Sequence, residues 1–470
     1  KQPLSDDLAF QEALHRVTRP LYIVNLNGRP AIAQDGTITL GADGPEGSGA
    51  LPLLGYAPAL DPRNLGDPAF KETHHLKYAY VAGAMANGIT SVEMVAEIGR
   101  AGMMGFFGAA GLLPAEIEVA IDALKQKMGH HPYGFNLIHS PTDPELESAT
   151  VDLYLRNGVK LISASAYLGL TLPLVYYRVH NLGRNSSGSV VCPNKIIAKV
   201  SRVEVARKFL GPPPEKYLRQ LIADNLISAD QAAMAAEIPM ADDLTAEADS
   251  GGHTDNRPAL TLLPTMLALR DDISSRNGYK IPVRVGLAGG IATPHSTAAA
   301  FSMGAAYVLT GSVNQSCVEA GTSDTVREML DEADQADVTM APAADMFEMG
   351  VKVQVLKRGT MFPLRAGKLY ELYNRYTRYE DIPSDQRAIL ERDFFRCSFE
   401  DQWEQTKDFF TRRDPRQIEL AEQKPKHKMA LVFRSYLGRS SNWANTGDQT
   451  RKIDYQIWCG PVSYTHLTMP

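Results

Sequence analysis

Eight short apolar runs, each followed by a stretch with helical spacing, constrain the fold of this chain more than any other feature. Strands that alternate with helices specify a parallel sheet with helical crossovers, and eight strands close a (β/α)8 barrel. Most of the runs are apolar throughout, as expected of strands that are buried on both faces. The runs are residues 78–85, 103–108, 133–139, 159–166, 195–201, 243–249, 283–287 and 306–310. We therefore predict an α/β fold, a TIM barrel. A doubly wound open sheet is the alternative, and it is disfavoured because no G-x-G-x-x-G follows the first run.

The alternation also divides the chain into four predicted parts. They are an N-terminal peripheral segment, 1–75, the barrel, 76–339, a mainly helical C-terminal region, 340–462, and a tail, 463–470. In the first part, 21–40 is predicted to form a hairpin that turns at Asn27-Gly28 and Asp35-Gly36, followed by a loop at 41–52. Between strands five and six, 212–239 is predicted to be a two-helix insertion. The C-terminal region is predicted to hold helices at 346–358, 368–376, 384–396 and 401–412.

Composition excludes several classes of protein. No run of about 18 apolar residues is present, and no secretory signal is visible at the start of the sequence. The four cysteines are widely spaced without a C-x-x-C pair, which argues against zinc, iron–sulfur and disulfide sites and fits a reducing cytosol. We expect a cytoplasmic protein with no metal, nucleic acid or membrane partner.

The net charge of −6 is unevenly distributed along the chain, because basic residues outnumber acidic ones only beyond residue 340. Ordinary scatter is one interpretation of this asymmetry. The other is that the C-terminal region docks an acidic partner.

Glycine-rich ends on strands seven and eight predict a phosphate site. Ala288, Gly289 and Gly290 follow strand seven, and Gly311 and Ser312 follow strand eight, each pair running into a predicted helix. This is where (β/α)8 barrels commonly bind phosphate, through backbone N–H groups. The alternative is that these glycines only turn strands into helices.

The residues at the ends of the other strands favour a flat cofactor as the molecule that carries this phosphate. Gly83, Ala84 and Met85 after strand one are small or flexible enough for an isoalloxazine ring to lie against the backbone. Asn136 in strand three is a candidate to hydrogen-bond the polar edge of a flavin, and Lys199 in strand five is a candidate to stabilise reduced flavin. Their alternative roles are a strand-end polar residue and a surface lysine.

The end of strand six, EADSGGH, carries the candidate for acid–base chemistry. Its candidate site residues are Glu247, Gly251, Gly252 and His253. The adjacent glycines allow a close backbone approach, and the imidazole behind them can donate to a carbonyl or deliver a proton. Asp249 and Asp255 are candidates to orient the histidine or to cap the loop.

Four motifs in this order resemble the 2-nitropropane dioxygenase/nitronate monooxygenase superfamily. They are ANGITSVEMVAEIGRAGMMGFFGAAGL, GFNLI, EADSGGH and GLAGGIATPHSTAAAFSMGAAYVLTGS. The superfamily includes FMN-dependent enoyl-acyl-carrier-protein reductases. The HTDNRP continuation, the long insertion and the C-terminal region are similar to the PfaD-type enoyl reductases of polyunsaturated fatty-acid and trans-acting polyketide synthases. One departure is Asp249-Ser250 where the superfamily often has Glu-Ala.

The resemblance implies the cofactors, the partners and the reaction. FMN would be held non-covalently, with its phosphate at Gly289-Gly290 and Gly311-Ser312, and His253 would be the active-site histidine. NADPH or NADH would be the reductant, and the substrate a 2-enoyl thioester on acyl carrier protein within a synthase complex; a homodimer is also compatible. The alternatives are a nitronate monooxygenase and a catalytically silent scaffold. An IMP-dehydrogenase-like barrel fits less well, since Cys317 falls beyond strand eight.

Overall fold

The computed structural model describes residues 3–39, 50–141 and 143–461 of the 470-residue chain. By its internal contacts the chain divides into two units, Lys1–Pro68 and Ala69–Pro470. The predicted loop at 41–52 lies mostly outside the described residues, and the predicted tail at 463–470 lies wholly outside them.

The first unit contains the predicted hairpin. Its strands Leu21–Leu26 and Arg29–Ala33 pair antiparallel around Asn27-Gly28, both of which have positive φ, as a tight hairpin turn requires. A third strand, Leu53–Ala57, which the sequence did not predict, pairs with the other edge of the first strand. This unit also holds the helix Asp7–His15 and the 3-10 turn Pro62–Asn64.

The second unit is built on a closed barrel of eight parallel strands, so the predicted fold is confirmed. Closure is made by strand eight, which pairs with strand one through Val308 and Tyr80, Leu309 and Val81, and Thr310 and Ala82. In chain order, strands one to eight are Tyr80–Ala82, Met104–Phe107, Tyr133–Ile138, Leu161–Ser165, Lys195–Val200, Asp243–Glu247, Arg284–Ala288 and Val308–Thr310.

Helices follow the strands and cover the barrel. They are Val92–Arg100, Pro114–Met128, Pro144–Arg156, Leu172–Val179, Val203–Leu210, Ala259–Asn277, Pro294–Ser302, Ser312–Gln315 and Asp324–Asp331. A small hairpin, Gly183–Arg184 with Val190–Val191, precedes strand five. The predicted insertion is confirmed as two helices, Glu215–Ala223 and Ala229–Ala235. The second begins at Ser228, whose hydroxyl accepts a hydrogen bond from the Gln231 N–H, as expected of an N-cap.

The helix Pro68–His74 precedes strand one, and its side chains meet the amino end of the barrel. Phe70 is fully buried and stacks on Tyr307, with ring centroids 4.2 Å apart. His74 Nε2 lies 2.7 Å from the fully buried carboxylate of Asp243, which also accepts a 2.5 Å hydrogen bond from Arg284. These charges are buried together and satisfy one another, as buried ionic groups must.

Asp243→Ala is expected to lower the free energy of unfolding by about 3–5 kcal/mol, because it leaves the buried Arg284 and His74 without their carboxylate. Glu215→Ala is the matched control. It removes an exposed carboxylate 3.7 Å from Arg219, and should cost less than about 1 kcal/mol. Urea denaturation of both variants measures the free energy of unfolding. Equal losses of this free energy in the two variants would contradict the stabilising role of Asp243.

The C-terminal region is mainly helical, as predicted, but it begins with a sheet. The strands Val338–Pro342 and Lys352–Leu356 pair antiparallel, and Lys352–Leu356 pairs on its other edge with Gly252–His253. The helix predicted at 346–358 is therefore wrong, because Val353 and Val355 belong to a strand with β-branched residues at period two. The helices are Phe362–Arg375, Ser384–Ile389, Phe399–Arg413, Arg416–Gln423 and Pro425–Thr446, with a π-helical turn at Leu390–Phe395 and 3-10 turns at Gln335–Asp337, Phe347–Met349, Tyr379–Asp381 and Gln449–Asp454. No helix among the described residues combines the length and apolarity that crossing a bilayer requires.

Candidate functional site

Hydrogen bonds fix the loop after strand one and join strand three to the loop after strand two. The Thr90 hydroxyl donates to Gly83 O and accepts from Met85 N, both at 2.8 Å, which fixes the loop after strand one. Asn136 Oδ1 accepts from the backbone N–H groups of Ala109 and Ala110 at 2.7 and 3.2 Å. Since this oxygen serves the protein itself, any contact of Asn136 with a cofactor falls to its amide nitrogen.

The loops predicted to bind phosphate follow strands seven and eight. Gly289 and Gly290 have φ of +93° and +69°, values that favour glycine. A Cβ built on Gly290 meets no atom within 4 Å, whereas one on Gly289 would stand 2.6 Å from the backbone of Ala248. Gly289 thus packs the loop after strand seven against the loop after strand six, and Gly290 faces open space. The helix after strand eight, Ser312–Gln315, is only one turn long.

Lys199 and Glu247 form an ion pair inside the barrel mouth. Lys199 Nζ lies 2.8 Å from Glu247 Oε1, and the two side chains are 17 % and 15 % exposed. Glu247 also accepts a 3.3 Å hydrogen bond from the Ser250 hydroxyl. Lys199 therefore points into the barrel, as predicted. Its charge is paired with the carboxylate of Glu247, another candidate site residue.

His253 lies on a two-residue strand whose partner comes from the C-terminal region. Its backbone pairs with Val353, and its Nε2 lies 3.2 and 3.3 Å from the two carboxylate oxygens of Asp345. Burial lowers the pKa of His253, but the hydrogen bond and charge of Asp345, together with the charge of Glu247, outweigh burial and raise it. The imidazolium form therefore persists to higher pH than in an ordinary histidine.

Asp249 and Asp255, the two candidates to orient His253 or to cap the loop, bond to other residues. Asp249 Oδ1 accepts from Asn256 Nδ2 at 2.7 Å and from Gln354 Nε2 at 3.0 Å, so it holds the loop to the small sheet. Asp255 pairs with Arg202, and this bond and charge hold its pKa at about 2. The orienting carboxylate is Asp345.

Sequence reasoning missed Asp345 because it lies 92 positions from His253 and borders the segment predicted to be helical. The strand Lys352–Leu356 places it by pairing with His253. Alternating valines at 351, 353 and 355 were the available signal.

The residues at the barrel mouth fit a flavin mononucleotide. The open space beside Gly290 gives a phosphate access to backbone, and Ser312 supplies a hydroxyl in the neighbouring loop. Lys199, Asn136 and His253 add polar groups at the ends of strands five, three and six, where barrel enzymes carry their chemistry. These assignments of individual residues to the cofactor stay predictions.

The fold places the chain in the class of (β/α)8-barrel proteins, and comparison with known proteins gives the family. A family model described as nitronate monooxygenase matches residues 67–366, and the chain belongs to that family. A second model, described as the inserted helical domain of acyl-carrier-protein S-malonyltransferase, matches residues 376–455.

Similar proteins confirm the resemblance stated from the motifs. The chain is 49 % identical over 400 residues to the polyketide biosynthesis protein PksE of Bacillus subtilis, covering 85 % of this chain and 52 % of that protein. It is 48 % identical over 403 residues to a polyunsaturated fatty acid synthase component of a Thraustochytrium species, covering 85 % of this chain and 27 % of that component. The chain thus spans about half, or less, of these curated relatives.

One solved structure is matched by this chain over most of its own length. The enoyl reductase domain of MlnA, from the macrolactin biosynthesis cluster of Bacillus amyloliquefaciens, superposes with a TM-score of 0.81 and 42 % sequence identity. The match covers 85 % of this chain and 90 % of that domain.

Proposed function

We propose that this chain is an FMN-dependent enoyl reductase that acts in trans, in the cytoplasm, on 2-enoyl thioesters carried by acyl carrier protein. Its reductant is NADPH or NADH, and its pathway is polyketide or polyunsaturated fatty-acid synthesis. The observation that carries the proposal is the likeness to the MlnA enoyl reductase domain over 85 % of the chain. The similar proteins named for polyketide biosynthesis and for a polyunsaturated fatty acid synthase support the same class of pathway.

Bound FMN supplies the hydride chemistry of this reaction, and the protein supplies binding, orientation and electrostatics. The phosphate would be held by Ala288, Gly289, Gly290, Gly311 and Ser312. The flavin ring would approach the backbone at Gly83, Ala84, Met85, Gly251 and Gly252. Asn136 and the Lys199–Glu247 pair would supply polar groups to it.

His253 is the proposed proton donor for the enolate that forms when a 2-enoyl thioester is reduced. Its Nε2 is engaged by Asp345, so the proton that it can present to a substrate oxygen or carbon is the one on Nδ1. Donation to a developing oxyanion stabilises the transition state, and the raised pKa of His253 keeps the donor charged.

The acyl chain needs an apolar wall, for which the loop after strand four and the two-helix insertion are candidates. The two segments are tied together, because the Tyr217 hydroxyl donates to Leu170 O at 2.9 Å. Lys208 Nζ donates to Leu168 O at 3.1 Å, and the Leu168 side chain beside it is 50 % exposed. This arrangement leaves a leucine available to an apolar chain at the rim of the loop.

Anaerobic turnover tests the function. Protein reconstituted with FMN should oxidise NADPH in the presence of a crotonyl thioester and release the butyryl product. The nitronate monooxygenase activity named by the family model is the second candidate. Oxygen consumption with propionate nitronate, without crotonyl reduction, would replace the proposal by that activity.

Asp345→Asn is expected to shift the pH profile of enoyl reduction toward lower pH. Asp345 raises the pKa of His253, so the charged donor is present below that pKa and is lost as pH rises through it. Without the carboxylate the pKa of His253 falls, and the alkaline limb of kcat/KM moves down with it. Asp249→Asn is the control, since Asp249 bonds Asn256 and Gln354 instead. The same shift in both variants would contradict the role of Asp345.

A further inference from the structure

A short segment from the C-terminal region, residues 457–460, lies beside the loops that hold the predicted phosphate site. We call this segment the strap. It is anchored on the small sheet that carries His253: Leu356 N donates to Ile457 O at 2.8 Å, and Trp458 pairs with Val355. The strap therefore continues the edge of the sheet along which Gly252 and His253 pair.

Beyond the sheet, the strap contacts the loops after strands six and eight. Gly460 N donates a 2.9 Å hydrogen bond to the Ser312 hydroxyl oxygen. On its other side it packs backbone against backbone with the Gly-Gly-His loop. A Cβ on Gly460 would stand 2.8 Å from Gly251 N, and one on Gly251 would stand 3.0 Å from Cys459 and Gly460. Both positions thus need glycine for the strap to lie where it does.

The loop after strand seven joins the same assembly. A Cβ on Gly289 would stand 2.6 Å from Ala248 C and 2.7 Å from Asp249 O, so this loop rests on the loop after strand six. Ala248 N also donates to Ala288 O at 2.8 Å. The loops after strands six and seven and the strap are therefore packed backbone against backbone. The Ser312 hydroxyl joins the loop after strand eight to them.

We propose that the strap is a fourth part of the cofactor-phosphate site, and that Gly460 is a positioning residue which holds Ser312 in its binding orientation. The inference rests on the proposed function in one respect, the identity of the anion as the phosphate of FMN. It explains why Gly251 is glycine although no strain at its backbone requires it, since the strap occupies the space of its side chain.

Gly460→Ala tests the inference through ligand affinity. The added methyl meets Gly251 and Ser250 backbone and must displace the strap, which lengthens the bond to Ser312. The dissociation constant for FMN should rise roughly tenfold, the scale of one hydrogen bond to a charged group. The dissociation constant for riboflavin, which lacks the phosphate, should stay unchanged. Gly438→Ala is the control, because a Cβ there meets nothing within 4 Å in the helix Pro425–Thr446.

Ser312→Ala provides a second variant that adds no bulk. If Gly460 acts through Ser312, the double variant should bind FMN no more weakly than Ser312→Ala alone. Flavin fluorescence titrations measure the wild-type protein and the four variants, and thermal unfolding checks that each is folded.

Equal losses for FMN and riboflavin in Gly460→Ala would overturn the inference, and so would additive losses in the double variant. If the wild type binds FMN and Gly460→Ala binds it equally well, the role of the strap is refuted and the proposed function stands. Failure of the wild-type protein to bind FMN would refute the proposed function and the inference together.

Discussion

Replacement of Gly290 by aspartate is expected to weaken FMN binding strongly. The backbone of Gly290 has φ of +69° and the position of its Cβ is open, so the residue leaves room for an anion beside the loop after strand seven. A carboxylate placed there opposes the phosphate, and two like charges about 4 Å apart repel by about 4 kcal/mol at a protein surface. The dissociation constant for FMN should rise by more than about a hundredfold. Titration of the protein with FMN, followed by flavin fluorescence, measures this change.

Two controls separate charge from backbone strain. Gly290→Asn imposes the same left-handed conformation without the charge, and asparagine tolerates that conformation better than most residues. Gly188→Asp puts the same carboxylate on a glycine with φ of +78° and open surroundings, in the hairpin before strand five. Both should keep FMN affinity within about tenfold of wild type, on the scale of about 1 kcal/mol of strain. Wild-type affinity in Gly290→Asp would place the phosphate elsewhere.

The barrel could be predicted from the sequence because its signals are local. Each strand is a short run of residues, mostly apolar, and several helices carry a start signal, such as Pro114 or the Ser91 N-cap. Order along the chain then fixes neighbours in the barrel, since consecutive strands pair in a (β/α)8 fold. The glycines at 289–290 and 251–252 could be placed at the mouth for the same reason.

The other half of the site could not be predicted, because it depends on pairing between distant segments. Gly252 and His253 form a strand only by pairing with Lys352–Leu356, which is distant in the sequence. Asp345 lies in the connection that precedes that strand. No local pattern reports such a pairing, because strand pairing depends on tertiary context. The strap is a further case: Gly460 meets Ser312 across 148 positions.

Some of the basic residues of the C-terminal region form ion pairs with acidic residues of the same region. Lys428 pairs with Glu400 at 3.1 Å, and Arg434 bonds Glu348 at 3.2 Å. Arg365 and Arg451 bond the buried Asp454. A surface for an acidic carrier protein must therefore be sought among the remaining basic residues of the region. Counting charges along the sequence overstates the positive charge that this region can offer to a partner.

His253→Gln is expected to slow enoyl reduction by roughly a hundredfold or more, the usual contribution of a positioned general acid. Glutamine keeps a polar side chain of similar length but cannot deliver a proton. FMN affinity should stay close to that of wild type, because the phosphate loops at Gly289-Gly290 and Gly311-Ser312 are unchanged. Reduction of the flavin by NADPH should also proceed at the wild-type rate, so the defect should appear only in the step that consumes the enoyl thioester.

Stopped-flow absorbance measures the two half-reactions separately, and this separation makes the role of His253 testable. His131→Ala is the control, since His131 is an exposed histidine at the amino end of strand three, away from the barrel mouth. A His253→Gln protein that reoxidises with crotonyl thioester at the wild-type rate would assign proton delivery to solvent. The pairing of His253 with Asp345 would then serve to hold the Gly251-Gly252 loop on the small sheet, and Asp345→Asn should weaken FMN binding instead of shifting the pH profile.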